Sequence, residues 1–538
     1  MKYKGSTKFD SVVVGGGIAG LTAACYLCRY GHNVLLLEKS KKIGGLVGSF
    51  EKDGFVFDYG ARAFENSGII LPMLKQLVID MEILNNPVTI GIGNEFVKIS
   101  SQEGLHDYSN MLKRLFPQNA HDIERIMQEI DKTTSYMNVM YGIDNPLFSD
   151  LSNDTQYLLH TLLPWLVKYR RNLRQIKKLD QPVDEYLMKF TDNRQLVDMI
   201  TQHFFKKTPT FFALSYFGLY MGYFYPKGGT HVLPEALSSY IEAHGGKILT
   251  ETAVTKVDLD HKVVISTDGE GFSYEQLIWA CDQKTLYNVL ETNDPKLGKK
   301  ISDKRELLSK CHGSDSVITV FLALDMDSEF FRERSGPHLF YTPNTNGLFP
   351  FPNPIQTSPS APKDVIMQWI NDYFKHTTYE ISCPALRDPS LAPPNKTGLI
   401  VSCLIDYDVA KIADLKGWYS EFKEQCEKTI LDTLDSSVFP GIRTKVLFSN
   451  CSTPLSIERI TGNSEGAITG WAFTNTVLPC ETNLDKIAKA VFTPFKDLYQ
   501  AGQWTFGPSG IPTCILTGKL ATDEVHKKLR KQHKQFHY

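Results

Sequence analysis

Residues 9–20 read FDSVVVGGGIAG, a short apolar run that breaks into the spacing G-x-G-x-x-G at Gly15, Gly17 and Gly20. Few stretches constrain a fold as tightly, because each glycine answers a different steric demand. Gly15 permits a tight strand-to-helix turn, Gly17 lets a pyrophosphate approach the backbone, and Gly20 lets the helix pack closely on the strand. Residues 9–14 are expected to form a buried strand and 18–30 a helix. Ile18 and Ala19 then supply the first helical amides, and the positive end of the helix faces the phosphates. Gly31 suits the left-handed position that closes a helix. A second strand, 33–37, ends at Glu38, about twenty residues past the glycines, where an acid can hold a ribose hydroxyl. Strand, glycines, helix, cap, strand and acid in this order make a Rossmann-type dinucleotide-binding unit.

The run continues as E-K-x(4)-G-G-x-x-G-S-F through Glu38, Lys39, Gly44, Gly45, Leu46 and Gly48, then as F-D-x-G-A through Phe57, Asp58, Gly60 and Ala61. Further glycine sites of this kind let a chain follow an extended dinucleotide out to an isoalloxazine ring, which points to FAD rather than NAD. The combined pattern resembles the FAD-dependent amine oxidase and phytoene desaturase superfamily. Within it, the chain is most similar to carotenoid desaturases, carotenoid isomerases and retinol saturase-like oxidoreductases. Many members carry a basic residue after the paired glycines. Leu46 stands there in this chain, which leaves Lys39 or Arg62 as candidates for the missing pyrophosphate contact.

Two later segments extend the resemblance. Tyr225-Pro226-Lys227-Gly228-Gly229 precedes a helix pattern over 233–244 and a strand pattern at 252–257. In the superfamily the matching valine packs on adenine through its backbone, and that role is carried over to Val254. Residues 263–281 read as a hairpin and return strand. Near the end a strand stops at Gly502, Gln503 and Trp504 follow, and a helix opens after Gly510 and Ile511 with Pro512 in its first turn. A positive helix end there stabilises the charge of a reduced flavin. The resemblance implies flavin contacts from Gly502, Gln503, Gly510 and Ile511.

The cofactor segments are thus split among 1–100, 225–300 and 485–538. The expected fold is α/β, a Rossmann-type FAD-binding domain with an interleaved α+β substrate domain built from 101–224 and 301–484. Residues 105–222 read as mostly helical, and 316–324, 365–369 and 398–405 as strands of a second sheet. Phe211, Phe212, Tyr216, Phe217, Tyr220, Tyr223, Phe224 and Tyr225 are dense enough to fill a core or to line a tunnel for a long apolar substrate. The largely apolar 158–167 is followed by Lys168, Arg170, Arg171, Arg174, Lys177 and Lys178 with no acid among them. That pattern suits either a solvated helix face or contact with an anionic bilayer surface.

Composition narrows the setting. The 538 residues carry a net charge of −2, with 42% hydrophobic and 22% charged residues, an ordinary balance for a soluble chain. No nucleic-acid-binding signature accompanies it, so nucleic acid is not an expected partner. No run of about twenty apolar residues suggests a spanning helix, and no secretory leader is expected. Ten thinly spread cysteines fit reduced thiols in a cytoplasmic protein. Cys25 and Cys28 are spaced C-x-x-C but fall within the first helix pattern, where cysteine serves as a small apolar residue.

No metal-ligand spacing, nucleophile elbow or P-loop is visible, so the chemistry is assigned to the flavin. Arg62, Tyr225 and Trp504 are the side-chain candidates beside it. The expected activity is desaturation, saturation or isomerisation at carbon–carbon double bonds of a hydrophobic polyene or isoprenoid-like substrate. One alternative is a flavin amine or porphyrinogen oxidase, with Trp504 in an aromatic cage. Another is a non-catalytic, prenyl-binding escort-type protein, which the intact glycines and Glu38 speak against. Substrate identity, electron acceptor and oligomeric state stay open at this level.

Overall fold

The computed structural model describes residues 7–149 and 157–535. Strand β1 (Thr7–Val14), helix α1 (Ile18–Arg29) and strand β2 (Val34–Leu37) form the first unit. Every residue of α1 from Ile18 to Cys28 is buried. The helix closes as its glycine demands. Gly31 has φ 77°, its N–H donates to the Cys28 carbonyl at 2.9 Å, and His32 N–H donates to the Leu27 carbonyl at 3.1 Å. This pair of bonds satisfies carbonyls that a helix end otherwise leaves without partners.

β1 runs parallel to β2 on one side and to Gly271–Trp279 on the other. Lys247–Leu249 adds beyond β2. Val263–Ser266, Val254–Asp258 and Leu290–Glu291 extend the far side, while Leu498–Gln500 joins parallel to 277–279. The parallel centre of this eight-stranded sheet carries the glycine turn at its carboxyl edge, the usual place for a ligand in open α/β sheets. The last helix, Ile511–Gln535, lies against α1. A Cβ on Gly518 would stand 2.5 Å from the Ala19 carbonyl, so the two helices touch backbone to backbone.

A second, seven-stranded sheet has the order 446–452, 316–324, 397–405, 379–382, 338–342, 88–92, 95–99. Its strands alternate strictly, as a pleat requires. Ile318, Val320, Leu322, Leu339, Tyr341, Ile381, Leu399 and Val401 face one core, beneath helices Lys363–His376 and Tyr419–Asp435. The intervening Thr319, Ser402, Glu380, Ser382, His338 and Phe340 therefore share the opposite face.

Two sequence expectations change here. Residues 365–369 are not a strand but part of the helix Lys363–His376. The buried Ile366, Trp369, Ile370 and Phe374 recur at helical spacing, and that period outweighs the local apolar run. The hairpin Val88–Ile92 and Glu95–Ile99, inside the stretch 1–100, pairs with the second sheet through His338–Thr342. A small three-stranded sheet of Phe64–Glu65, Tyr223–Pro226 and Ile83–Asn85 lies on the chain between the two large ones.

Candidate active site

The glycine turn has the shape its sequence predicts. Gly15 sits at φ 107°, and a Cβ there would fall 2.4 Å from Cys281 Sγ. On Gly20 it would fall 1.9 Å from the Gly15 carbonyl, so only glycine lets α1 start this close to β1. Gly17 differs: among the described residues, nothing lies within 4 Å of a Cβ built on it. It is the N-cap of α1 and has no side-chain cap, so the first-turn amides of Ile18, Ala19 and Gly20 open onto that space. Gly45 closes the other side, its would-be Cβ 3.2 Å from Gly17 Cα.

Glu38 stands where a ribose contact is expected. One carboxylate oxygen accepts from Gly16 N–H and the other from Ser40 N–H, both at 2.7 Å. The Glu38 backbone bonds to Leu249 and Thr252, which brings the segment leading into Val254 alongside. Lys39 points elsewhere: its ammonium reaches the Arg459 carbonyl at 3.4 Å. Leu46 contributes backbone, not side chain. Its carbonyl accepts from Ala61 N–H at 2.9 Å, and a Cβ on Gly60 would meet that carbonyl at 1.9 Å. Gly502, at φ 95°, brings the end of the strand Leu498–Gln500 next to Ala19 and donates to Thr517 Oγ1 at 2.9 Å. Gln503 Nε2 donates to the Ala467 carbonyl at 3.5 Å. Gly510 and Ile511 open the last helix beside Glu65, whose Oε1 would be 3.4 Å from a Cβ on Gly510. An open cradle of first-turn amides, an acid fixed beside it and a second helix end fit a dinucleotide whose far end is a flavin.

The three side-chain candidates are placed less simply. Arg62 is buried, with 4% of its side chain accessible. Its guanidinium crosses to the second sheet, 2.8 Å from Glu380 Oε2, and also donates to Ser402 Oγ and to Thr319 Oγ1. Tyr225 is fully buried and donates to Asp58 Oδ2 at 2.7 Å. Asp58 also accepts from Ser49 and Thr230, and the Arg387 guanidinium stacks 3.9 Å above the Tyr225 ring. Trp504 packs edge-on against Trp471, with ring centroids 4.8 Å apart, and its Nε1 donates to Asn463 at 3.2 Å. The structure thus gives each a structural partner, and brings only Arg62 to the polar face of the second sheet.

That face holds groups the sequence did not single out. Burial favours the neutral carboxyl of Glu380, but the Arg62 guanidinium, together with His338 and His203, outweighs it and holds the group at about 2. His338 Nε2 lies 3.2 Å from Glu380 Oε1, off the line a hydrogen bond needs. Burial pushes its imidazole down against the opposing pull of the Glu380 carboxylate, and the nearby guanidiniums add to the fall. His203 Nε2 is 3.0 Å from Tyr220 Oη, and burial lowers His203 to about 4. Glu380 is enclosed by protein, yet 36% of its side chain is accessible. Glu65, His203 and Tyr223 likewise are enclosed but only half-buried. These groups keep accessible surface beside a cluster of aromatic rings. Tyr220 and Phe340 have ring centroids 5.2 Å apart, and Tyr216 and Tyr223 pack on Tyr220 at 5.6 Å each. Tyr220 itself is buried, as are Phe211, Phe217, Phe224 and Tyr225, whereas Tyr216, Tyr223 and Phe340 are only half-buried. An acid soon after Arg62 was a usable signal for Glu65; Glu380 and His338 offered none, because only strand register brings them together.

Comparison with known proteins agrees with this geometry. The family model described as flavin containing amine oxidoreductase matches residues 18–526. The chain is 24% identical to an all-trans-retinol 13,14-reductase of Danio rerio, over 92% of this chain and 82% of the relative. It is 21% identical to a 4,4'-diapophytoene desaturase of Staphylococcus aureus, over 96% and 99% of the two chains. The crystal structure of an oxidoreductase from Methanosarcina mazei superposes with a TM-score of 0.57 at 17% identity, covering 96% of this chain and all of that one. With a family match over nearly its whole length and a cradle that fits the cofactor, the chain belongs to the flavin containing amine oxidoreductases and takes FAD.

Proposed function

We propose that this protein is an FAD-dependent oxidoreductase acting on carbon–carbon double bonds of a hydrophobic polyene or isoprenoid-like substrate. The observation that carries the reading is the half-buried aromatic cluster of Tyr216, Tyr223 and Phe340 packed around the buried Tyr220, which we take as the wall of a substrate cleft beside the polar face of the second sheet. Aromatic walls bind a long unsaturated chain through area and ring stacking rather than charge. The activities for which the all-trans-retinol 13,14-reductase and the 4,4'-diapophytoene desaturase are named support the same substrate class. An amine-oxidase reading is less favoured, since Trp504 is 3% exposed and packed on Trp471 rather than open to a cationic ligand.

Bound flavin supplies a reversible exchange of two electrons with a substrate carbon. The chain's own residues do the rest. The Ile18, Ala19 and Gly20 amides hold the pyrophosphate, Glu38 the ribose, and the Gly510–Ile511 helix end a developing negative charge. The Arg62–Glu380 pair ties the flavin side of the cleft to its floor, which keeps the two walls in register. The test is anaerobic: reduced holoenzyme is mixed separately with conjugated polyenes, amines and porphyrinogens while flavin absorbance is followed. Oxidation by a polyene, or reduction of the oxidised enzyme by its partly saturated counterpart, is the expected result. Response to amines alone would overturn the proposal.

The same substrate class implies a source in a bilayer. Leu159, Leu163, Leu166 and Val167 are 60, 54, 38 and 73% exposed, beside the basic residues of the helix Leu163–Ile176. An apolar face next to a basic one suits the surface of an anionic membrane. No helix among the described residues is long and apolar enough to cross one.

A further inference from the structure

Glu65 ends the short strand Phe64–Glu65 and pairs across from Tyr223. Its carboxylate abuts the loop that opens the last helix, Oε1 lying 3.4 Å from where a Cβ of Gly510 would be. The titratable groups that face it are the Tyr223 phenol on the paired strand and the Cys514 thiol on the first turn of the helix. Burial pushes both up, Cys514 to about 11, so both are neutral at pH 7. Arg62, three residues away, is turned to Glu380. No cationic side chain among the described residues pairs with the Glu65 carboxyl, and burial, only partly offset by its own amide, pushes it up to about 7. Yet the side chain is only half-buried, so one side of it stays open. A carboxyl without a cation, set beside the helix end proposed to meet the flavin, is placed to respond to charge arriving there.

We propose that Glu65 takes up a proton when the bound flavin is reduced and releases it on reoxidation, an inference that rests on FAD lying with its ring at this helix end. The balance is simple. Two electrons from a reductant, and one proton from solvent, convert oxidised flavin to its anionic reduced form. The negative charge formed nearby raises the affinity of the Glu65 carboxylate for a second solvent proton, and the carboxylate becomes a carboxylic acid. Reoxidation by a double bond returns both electrons and leaves Glu65 as a local proton donor for the second carbon.

Redox titration of the holoenzyme with dithionite and a mediator dye, from pH 6 to 9, tests this without any substrate. One proton per two electrons moves the midpoint potential by about 30 mV per pH unit, because a tenfold change in equilibrium is about 30 mV for a two-electron couple. Wild type should show twice that slope from about pH 7 upward. Glu65→Gln should show the single slope throughout, and Glu65→Asp should restore the steeper one. Identical slopes in wild type and Glu65→Gln overturn the proposal. Should Glu65→Gln fail to retain FAD, reduced-minus-oxidised infrared spectra of wild type at pH 8 decide. A protonated-carboxyl band must be gained on reduction, and its absence overturns the proposal. Neither readout uses a substrate, so failure here leaves the polyene reading standing, and failure of polyene turnover leaves the Glu65 result intact.

Discussion

A Cβ at Gly20 would overlap the Gly15 carbonyl at 1.9 Å, whereas one at Gly17 would meet open space. The two glycines therefore serve different ends, and alanine separates them. Gly20→Ala forces the turn apart and should destabilise the protein, with or without cofactor, by about 1–3 kcal/mol. Gly17 has φ −74°, which alanine adopts freely. Gly17→Ala should leave cofactor-free stability within about 1 kcal/mol while FAD retention collapses, because the methyl enters the open space proposed for pyrophosphate. Thermal unfolding of the stripped proteins, beside flavin content after gel filtration, checks both. Equal stability loss in the two variants would show that Gly17 is packed rather than open. The same scale explains why Gly15, Gly17, Gly20 and Glu38 were legible in the sequence. Their constraints are local, set by turn geometry within one strand–helix–strand unit. Arg62 and Tyr225 were recognisable as candidates, but their partners Glu380, Asp58 and Arg387 were not, since those contacts span long stretches of chain.

At the scale of elements, period decided what could be read. The helix patterns at 18–30 and 233–244 correspond to Ile18–Arg29 and Val232–Ala243. The segment 365–369 looked like a strand because five residues sample too little of a helical period. The helix Leu163–Ile176 carries its own prediction. Its exposed Leu163 and Val167 lie four residues apart, on one side of the helix, with Arg170 and Arg171 following. The protein should co-float with vesicles of phosphatidylcholine and phosphatidylserine, less so with phosphatidylcholine alone, and lose binding in a Leu163→Glu, Val167→Glu double variant. Unfolding temperature should not change, as both side chains are more than half exposed. Undiminished flotation of the double variant would remove this face as the contact.

For the whole molecule, the join between the two sheets rests in part on a charge. Arg62 comes from the glycine-rich side and Glu380 from the second sheet, 2.8 Å apart. The Glu380 carboxyl is held at about 2, below its unfolded value near 4.3. A depressed acid stabilises the fold above the unfolded value, and that contribution is lost as pH falls from about 4 towards 2. The gap in unfolding temperature between wild type and Glu380→Gln should therefore be largest near neutrality and shrink across that window. A gap that stays constant down to pH 2.5 would mean the pair contributes no net stability. The amino-acid sequence alone determined the dinucleotide unit and the FAD class, because glycine sterics and short-range periodicity act within a few tens of residues. Only the tertiary structure decided which side chains meet in the cleft. Strand register places Thr319, Ser402, Glu380 and His338 on one face, and helix packing sets Gly510 beside Glu65. Local sequence does not fix either arrangement, since one needs strands up to 83 residues apart to pair in register and the other brings together segments from opposite ends of the chain.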